Sequence, residues 1–217
     1  MKFLRNHWFH VGLVFFSGLA FYMVFWGQGA SYLQKLLVAS AMALFLHQTE
    51  EYILPGGASP VINHDFYGNH SENYDRFPGN WNSIMIVNVS AWIFYIWAIF
   101  SPKFIYLGAA TMFFNLFQVL GHGIKMNVAM KTWYNPGMAT SLLLFLPISL
   151  AYFIYVSQTG LLAGWGWLWS VLAAALLMAI TVVLPVQLLK KEDSACPIPA
   201  RQLEDYQRVK NFCRIKR

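Results

Sequence analysis

The sequence contains one unbroken tract without ionisable side chains, from Thr132 to Leu189. None of these 58 residues is Lys, Arg, Asp, Glu or His. One crossing of a bilayer needs about 20 helical residues, so this tract is long enough for two membrane-spanning helices and a turn. Across the whole chain 58% of residues are hydrophobic and 11% are charged, whereas soluble domains have roughly 25% charged residues. We therefore expect an integral membrane protein of the all-α class.

Hydrophobic segments of spanning length recur along the chain and predict a bundle of about six transmembrane helices. Turn residues separate them, as at Pro55-Gly56-Gly57 and Ser101-Pro102-Lys103. A polar loop at 55–81 follows the second helix, and its aromatic content favours a folded lid. Residues 1–189 form the predicted transmembrane domain, with helices at about 8–26, 36–54, 82–100, 104–124, 138–156 and 161–189.

Basic residues are concentrated at segment ends and in the tail at 190–217. If both termini face the cytoplasm, 13 of the 15 Lys and Arg residues lie on that side, and only Lys35 and Lys103 lie outside. This orientation also explains the net charge of +6 without a nucleic-acid partner. Apolar residues spaced three apart in the basic cytoplasmic tail fit either a helix on an anionic membrane surface or a solvated segment.

The second predicted helix ends in a group of ionisable side chains, His47, Glu50 and Glu51. Residues three and four apart share a helix face, so these side chains converge. A charge at bilayer depth costs about 2.5 to 3.5 kcal/mol, which favours a site at the interface, a shared proton or a bound cation. The plain alternative is that the two glutamates mark a solvated helix end and that His47 is hydrogen-bonded inside the bundle.

A second polar stripe lies on the fourth predicted helix, where Asn115, Gln118 and His122 fall on one face. The predicted topology brings this stripe to the same end of the bundle as His47 and the polar loop. Imidazole nitrogens and carboxylate oxygens suit a divalent transition metal, with zinc favoured and iron also compatible.

We therefore predict a metal site and assign a role to each of its residues. The predicted metal ligands are His47, Glu51, His122 and His70. Glu50 is the predicted catalytic base, which takes a proton from metal-bound water. The residues expected to orient these ligands or to contact substrate are Gln118, Asn115, His64 and Tyr74.

The segment His47-Gln48-Thr49-Glu50-Glu51 resembles the signature of the HXXEE domain family. The segment 70–74 resembles a His-x-x-x-Tyr motif of that family, and the segment 118–122 resembles its Asn-x-x-x-His motif with Gln in place of Asn. The resemblance covers residues 8–189. It implies a small multi-helix protein of the bacterial inner membrane, with an enzymatic role suggested by its polar motifs and no assigned substrate.

Three functional hypotheses follow. The favoured one is a hydrolase that acts on a lipid-like or membrane-embedded substrate at the cytoplasmic leaflet. If the metal is iron, a di-iron lipid oxidase or hydroxylase becomes the alternative. The same His/Glu cluster would also serve a proton-coupled transporter. Membrane lipid is the expected partner, and a homo-oligomer is left open because the aromatic sixth helix suits lipid and another subunit equally.

Overall fold

The computed structural model describes residues 2–215, and most of them are helical. No β-strand is formed among these residues, so the all-α class is confirmed. The main helices are α1 (Lys2–Phe25), α2 (Tyr32–Tyr52), α3 (Trp81–Phe100), α4 (Ile105–Met130), α5 (Met138–Gln158), α6 (Gly166–Leu189) and α7 (Ala200–Phe212).

Within the described residues, α1 and the helices α3 to α6 are long and apolar enough to cross a membrane. This confirms the predicted polytopic bundle. Helix α2 is also of spanning length with 21 residues, but it carries Lys35 near its start and the polar cluster near its end. It lies inside the bundle against α1, α3 and α5. Exposed apolar side chains such as Val14, Leu143 and Leu176 cover the outer helices, as a lipid-facing surface requires.

Specific hydrogen bonds set the starts of the helices that carry or support the site. The Ser31 side chain accepts a bond from the backbone N–H of Gln34 and caps α2. Asn80 and Ser83 form a reciprocal capping box at the start of α3. The Asn80 side-chain amide also donates to the Leu189 carbonyl, at 2.7 Å. The start of α3 is therefore fastened to the end of α6.

Helix α4 continues past residue 124, where the sequence predicted its end. It widens to π-helical geometry over Gly121–Lys125 and ends where Lys131 adopts a left-handed φ of 58°. Lys125 lies inside the continued helix, because lysine is a good helix former, and its ammonium group lies over the Phe66 ring, 3.7 Å from the ring centre. Single-turn π segments of this kind often occur at functional sites.

The polar loop and the tail pack against each other at one end of the bundle. The loop is folded into helical turns at Ala58–Pro60, Val61–Phe66 and Glu72–Asp75. Helix α7 docks on it through Gln202, which accepts from the Gly57 N–H at 3.0 Å and donates to the Tyr52 carbonyl at 2.9 Å. The tail therefore contains the helix that one of the two expected arrangements required, and this helix docks on the loop. Contact of the helix with a membrane surface stays a prediction.

The start of α1 and the connection between α4 and α5 lie at this same end. The Arg5 guanidinium lies 3.0 Å from the Cys196 sulfur, and the Trp81 N–H donates to the Cys196 carbonyl. The Trp133 N–H donates to the Cys213 carbonyl. The segments predicted to be cytoplasmic thus meet at one end of the bundle. Which side of the membrane that end faces stays a prediction.

Candidate metal centre

Three buried side chains from two helices converge at this end of the bundle. His47 Nε2 lies 3.8 Å from Glu51 Oε1, and His122 Nε2 lies 3.5 Å from the same oxygen. One ligand atom from each residue lies within 4.8 Å of the others. A transition metal with bonds of about 2.0 to 2.2 Å holds its ligand atoms at most about 4.4 Å apart, and the two nitrogen–oxygen distances of 3.8 and 3.5 Å lie within that limit. The three residues therefore form a candidate metal centre.

Local helix geometry explains the convergence. His47 and Glu51 are one turn apart on α2, so their side chains project from the same face. His122 comes from the π-helical part of α4, where the wider turn changes the direction of its side chain. The two imidazole rings meet edge to face, with their centres 4.8 Å apart.

The partner of His47 Nδ1 determines which nitrogen of that ring is free. Thr140 Oγ1 lies 2.9 Å from Nδ1, 2.5 Å from Glu50 Oε2 and 3.3 Å from the Gly137 carbonyl. The carboxylate and the carbonyl can only accept, so the Thr140 hydroxyl donates to one of them and its oxygen accepts from His47 Nδ1–H. His47 Nε2 therefore carries a lone pair that faces Glu51.

The second imidazole is held in the same state by Asn135. The Asn135 amide nitrogen donates to the His122 carbonyl at 2.6 Å and to Asn127 Oδ1 at 2.7 Å. Because a carbonyl can only accept, these bonds orient the Asn135 amide. Its oxygen, 2.8 Å from His122 Nδ1, must accept the ring N–H. His122 Nε2 is therefore also an unprotonated nitrogen that faces Glu51.

The centre consists of electron-pair donors only. It contains two unprotonated imidazole nitrogens and the Glu51 carboxylate, and within residues 2–215 no group donates a hydrogen bond to that carboxylate. Burying such groups without a compensating partner is costly, and a divalent cation would satisfy all three at once. Thr140 and Asn135 supply the outer hydrogen bonds that orient metal-bound histidines in proteins.

Glu50 does not face this centre. Its two oxygens accept bonds from the Tyr134 hydroxyl at 2.7 Å, the Ala139 N–H at 3.0 Å, the Thr140 N–H at 2.8 Å and the Thr140 hydroxyl. Glu50 therefore caps the first turn of α5 from another helix. Burial and the Glu50 carboxylate raise the pKa of Tyr134 above its usual value, so the phenol stays a donor. The geometry shows Glu50 positioning the start of α5, and its role as catalytic base stays a prediction.

The loop histidines form a separate cluster. His70 Nδ1 lies 3.3 Å from His64 Nε2, and His64 Nδ1 lies 3.1 Å from the Tyr206 hydroxyl on α7. The Tyr74 ring packs edge-on against His64, with 5.3 Å between ring centres. His70 is thus not brought to the other predicted ligands, because the folded loop directs it toward α7.

The polar stripe on α4 is divided between two places. Asn115 is fully buried deeper in the bundle, where it accepts from the Tyr95 hydroxyl at 2.6 Å and donates to the Ser40 hydroxyl at 2.9 Å. Gln118 lines a cavity next to the metal centre. Neither side chain is bonded to a candidate ligand among the described residues.

That cavity has a volume of about 230 Å³, and His47, Glu51 and His122 form part of its wall. The rest of the wall comes mainly from apolar side chains of α2, α3, α4, α6 and the loop. Representative members are Leu44, Ile62, Phe66, Val87, Phe114 and Val182. A largely apolar cavity with a few converging polar groups is the usual form of a small-molecule site.

Sequence reasoning did not identify Gly137 as part of the site. With a φ of +100°, it begins α5 and lies against both imidazoles. A Cβ built at this position would lie 2.5 Å from His122 Cε1 and 2.8 Å from His47 Cε1. The turn signature Asn135-Pro136-Gly137 was a visible signal for a tight turn, but it did not indicate which side chains the turn would contact.

Comparison with known proteins gives one relationship. Searches of curated proteins and of solved structures found no match. A family model described as "Protein of unknown function with HXXEE motif" matches residues 38–152. The matched segment contains the three candidate ligands as well as Thr140 and Asn135, and it omits α1, α6 and α7. Because the match spans more than half of the chain, the protein belongs to the HXXEE family.

Proposed function

We propose that this protein is a metal-dependent membrane enzyme, a hydrolase for lipid-like substrates. The observation that carries the proposal is the convergence of two unprotonated imidazole nitrogens and a carboxylate in a buried site. His47, Glu51 and His122 would hold a divalent transition metal. Two histidines and one glutamate are a ligand set of catalytic zinc sites, which keep a further position open for water or substrate.

The adjoining cavity supports an apolar substrate. Its wall joins the metal-ligand residues directly to apolar side chains of the bundle. A lipid chain lying among these side chains would bring a polar bond next to the centre, at the membrane end where the loop and the tail meet. Burial of apolar chain surface contributes roughly 25 cal/mol per Å² to such binding.

The division of work among the residues follows from their contacts. A bound zinc ion would supply Lewis acidity and lower the pKa of a coordinated water. Thr140 and Asn135 keep the Nδ1 atoms of the two imidazoles protonated, so that both Nε2 atoms stay available as ligands. Glu50 holds Thr140 and the start of α5 in place.

An oxidative function is the second candidate, because two histidines and one carboxylate also form the ligand set of mononuclear non-haem iron(II) oxygenases. Carboxylate-bridged di-iron bundles use more carboxylates than this cluster offers. The second glutamate of the motif, Glu50, is occupied by α5. The geometry therefore favours one metal ion over two.

Metal analysis tests the proposal. Tag-free protein purified in mild detergent should contain about one equivalent of metal by inductively coupled plasma mass spectrometry, and His47→Ala and His122→Ala should lose it. His70→Ala is the matched control and should keep the metal, because His70 belongs to the loop cluster. Zinc would direct activity assays to lipid esters and amides, and iron to oxygen-dependent chemistry.

Two results would contradict the proposal. Parent protein without metal, purified without chelators, would favour proton-coupled transport by the same residues. Full metal retention in both ligand variants would show that His47 and His122 are not ligands.

A further inference from the structure

A directional chain of hydrogen bonds runs along the cavity wall and begins at Trp92. The Trp92 indole N–H donates to Gln48 Oε1 at 2.8 Å. Since an indole nitrogen can only donate, this bond fixes the orientation of the Gln48 amide. The Gln48 amide nitrogen then donates to Asn88 Oδ1 at 3.1 Å.

The chain continues from Asn88 to Tyr52. The Asn88 amide nitrogen donates to the Ile84 carbonyl at 2.9 Å and to the Tyr52 hydroxyl oxygen at 3.0 Å. The Ile84 carbonyl can only accept, so the Asn88 amide is also fixed in orientation. The Tyr52 oxygen is therefore an acceptor in this bond, and its own O–H must donate elsewhere.

No acceptor for the Tyr52 hydroxyl hydrogen exists among residues 2–215. The ring is held in position by Trp8, with 4.7 Å between ring centres, and the residue is only 2% exposed. Tyr52, Asn88 and Gln48 line the same cavity as the candidate metal ligands. A buried donor without an acceptor is unfavourable by an amount comparable to a lost hydrogen bond. The cavity thus offers the Tyr52 hydroxyl as a donor next to the metal centre, on a ring whose position is fixed.

The charge of the cavity wall limits what this donor would bind. Among the described residues the wall contains no Lys or Arg, and it contains the Glu51 carboxylate. A phosphate or free carboxylate would meet no cationic side chain there, whereas a neutral carbonyl oxygen needs only one donor. The apolar part of the wall suits the hydrocarbon on either side of such a carbonyl.

We propose that the Tyr52 hydroxyl is a substrate-binding donor that takes the carbonyl oxygen of an uncharged acyl compound, such as a fatty ester or amide. This rests on the proposed function, and it specifies the substrate class for the same site. Tyr52 would hold the carbonyl beside His47, Glu51 and His122. Its neighbours in the hydrogen-bond chain, Asn88 and Gln48, position it.

The test uses a long-chain methyl ketone with an isotope-labelled carbonyl and the alkane of equal length. Both probes bind without turnover. In parent protein, infrared difference spectra should show the bound ketone carbonyl at lower frequency than the same ketone in detergent micelles. Tyr52→Phe should remove this shift and weaken ketone binding roughly 3- to 10-fold in calorimetric titrations. Its alkane affinity should not change, which also establishes that the variant is folded.

Tyr152→Phe is the matched control. The Tyr152 hydroxyl donates to the Ile105 carbonyl, with 3.1 Å between the two oxygens, and Tyr152 does not line the cavity. It should keep both the shift and the ketone affinity. The measurement is made on the protein as purified and after chelation, because a bound metal could itself contact the carbonyl.

The two proposals can fail separately. If the protein as purified, without chelators, contains no metal, the hydrolase proposal is contradicted, whereas a shift that depends on Tyr52 still supports the donor site. An unshifted ketone in the parent protein overturns the donor site whatever the metal content. A shift that survives in chelated Tyr52→Phe protein overturns it as well.

Discussion

A single methyl group at Gly137 should disrupt the candidate metal centre. The added Cβ of Gly137→Ala would lie 2.5 Å from His122 Cε1, 2.6 Å from His122 Nδ1 and 2.8 Å from His47 Cε1. Carbon atoms in contact prefer about 3.5 to 4.0 Å, so the rings would have to move by roughly 1 Å. Neither ring moves freely, because Thr140 and Asn135 hold their Nδ1 atoms.

The size of the effect follows from these distances. Metal–ligand bonds tolerate deviations of about 0.2 Å, so a displacement of roughly 1 Å takes at least one imidazole nitrogen out of bonding range. We expect metal affinity to fall by more than the 10- to 100-fold that is typical for loss of an outer hydrogen bond to a ligand. The φ of +100° at Gly137 adds about 1 to 3 kcal/mol of destabilisation for a residue with a Cβ.

Metal content and metal titration of purified Gly137→Ala protein provide the assay, with thermal unfolding in detergent as the stability measurement. Gly121→Ala is the matched control, because Gly121 adjoins His122, has a φ of −61° and has nothing within 4 Å of a built Cβ. It should bind metal like the parent protein. If Gly137→Ala also bound metal with parental affinity, the two imidazoles could not be ligands in the observed geometry.

Three further substitutions examine the supports of the site. Thr140→Val should lower metal affinity about 10- to 100-fold in titrations, whereas Thr140→Ser, which keeps the hydroxyl on His47, should not. Tyr134 has a raised pKa in the folded protein, so its stabilising bond is complete below about pH 10 and is lost as the pH rises further. The difference in thermal midpoint between the parent and Tyr134→Phe should therefore stay constant from about pH 6 to 9 and shrink above about pH 10. Gln202→Ala should lower the free energy of unfolding by about 1 to 3 kcal/mol in denaturant titrations, because the Gly57 N–H and the Tyr52 carbonyl lose their buried partner.

Much of the bundle could be predicted because hydrophobic length and turn residues act locally. The long uncharged tract at 132–189 does form α5 and α6, with a turn between Gln158 and Gly166. The end of α4 was harder to predict from the sequence. Lys125 was interpreted as a helix boundary, and its contact with Phe66 depends on the folded loop. The docking of α7 depends on side chains that lie far apart in the chain.

The same distinction applies to the candidate site, where helical spacing could be predicted from the sequence and packing between helices could not. Helical spacing brings His47 and Glu51 together, and a common membrane depth brings His122 to them. Neighbouring residues in a helix differ in direction by about 100°, so Glu50 and Glu51 cannot both face the same partner. Which of the two would face α5 was decided by packing between helices. Thr140 reaches His47 only because Glu50 holds it at the start of α5. No periodic pattern in the sequence identifies Thr140 as part of the site.

The docked tail has a consequence for how this end of the protein opens. Helix α7 holds the loop after α2 through the bond between Gln202 and the Gly57 N–H. The residues that follow α7 hold the α4–α5 connection, where the Trp133 N–H donates to the Cys213 carbonyl and the Ile215 N–H donates to the Lys131 carbonyl. Helix α7 and the residues after it thus connect the loop that follows α2 with the connection that follows α4. These are the two helices that carry the candidate ligands. We expect these amides to exchange with solvent deuterium as one cooperative unit, whose opening frees the metal centre while the membrane-spanning helices stay folded.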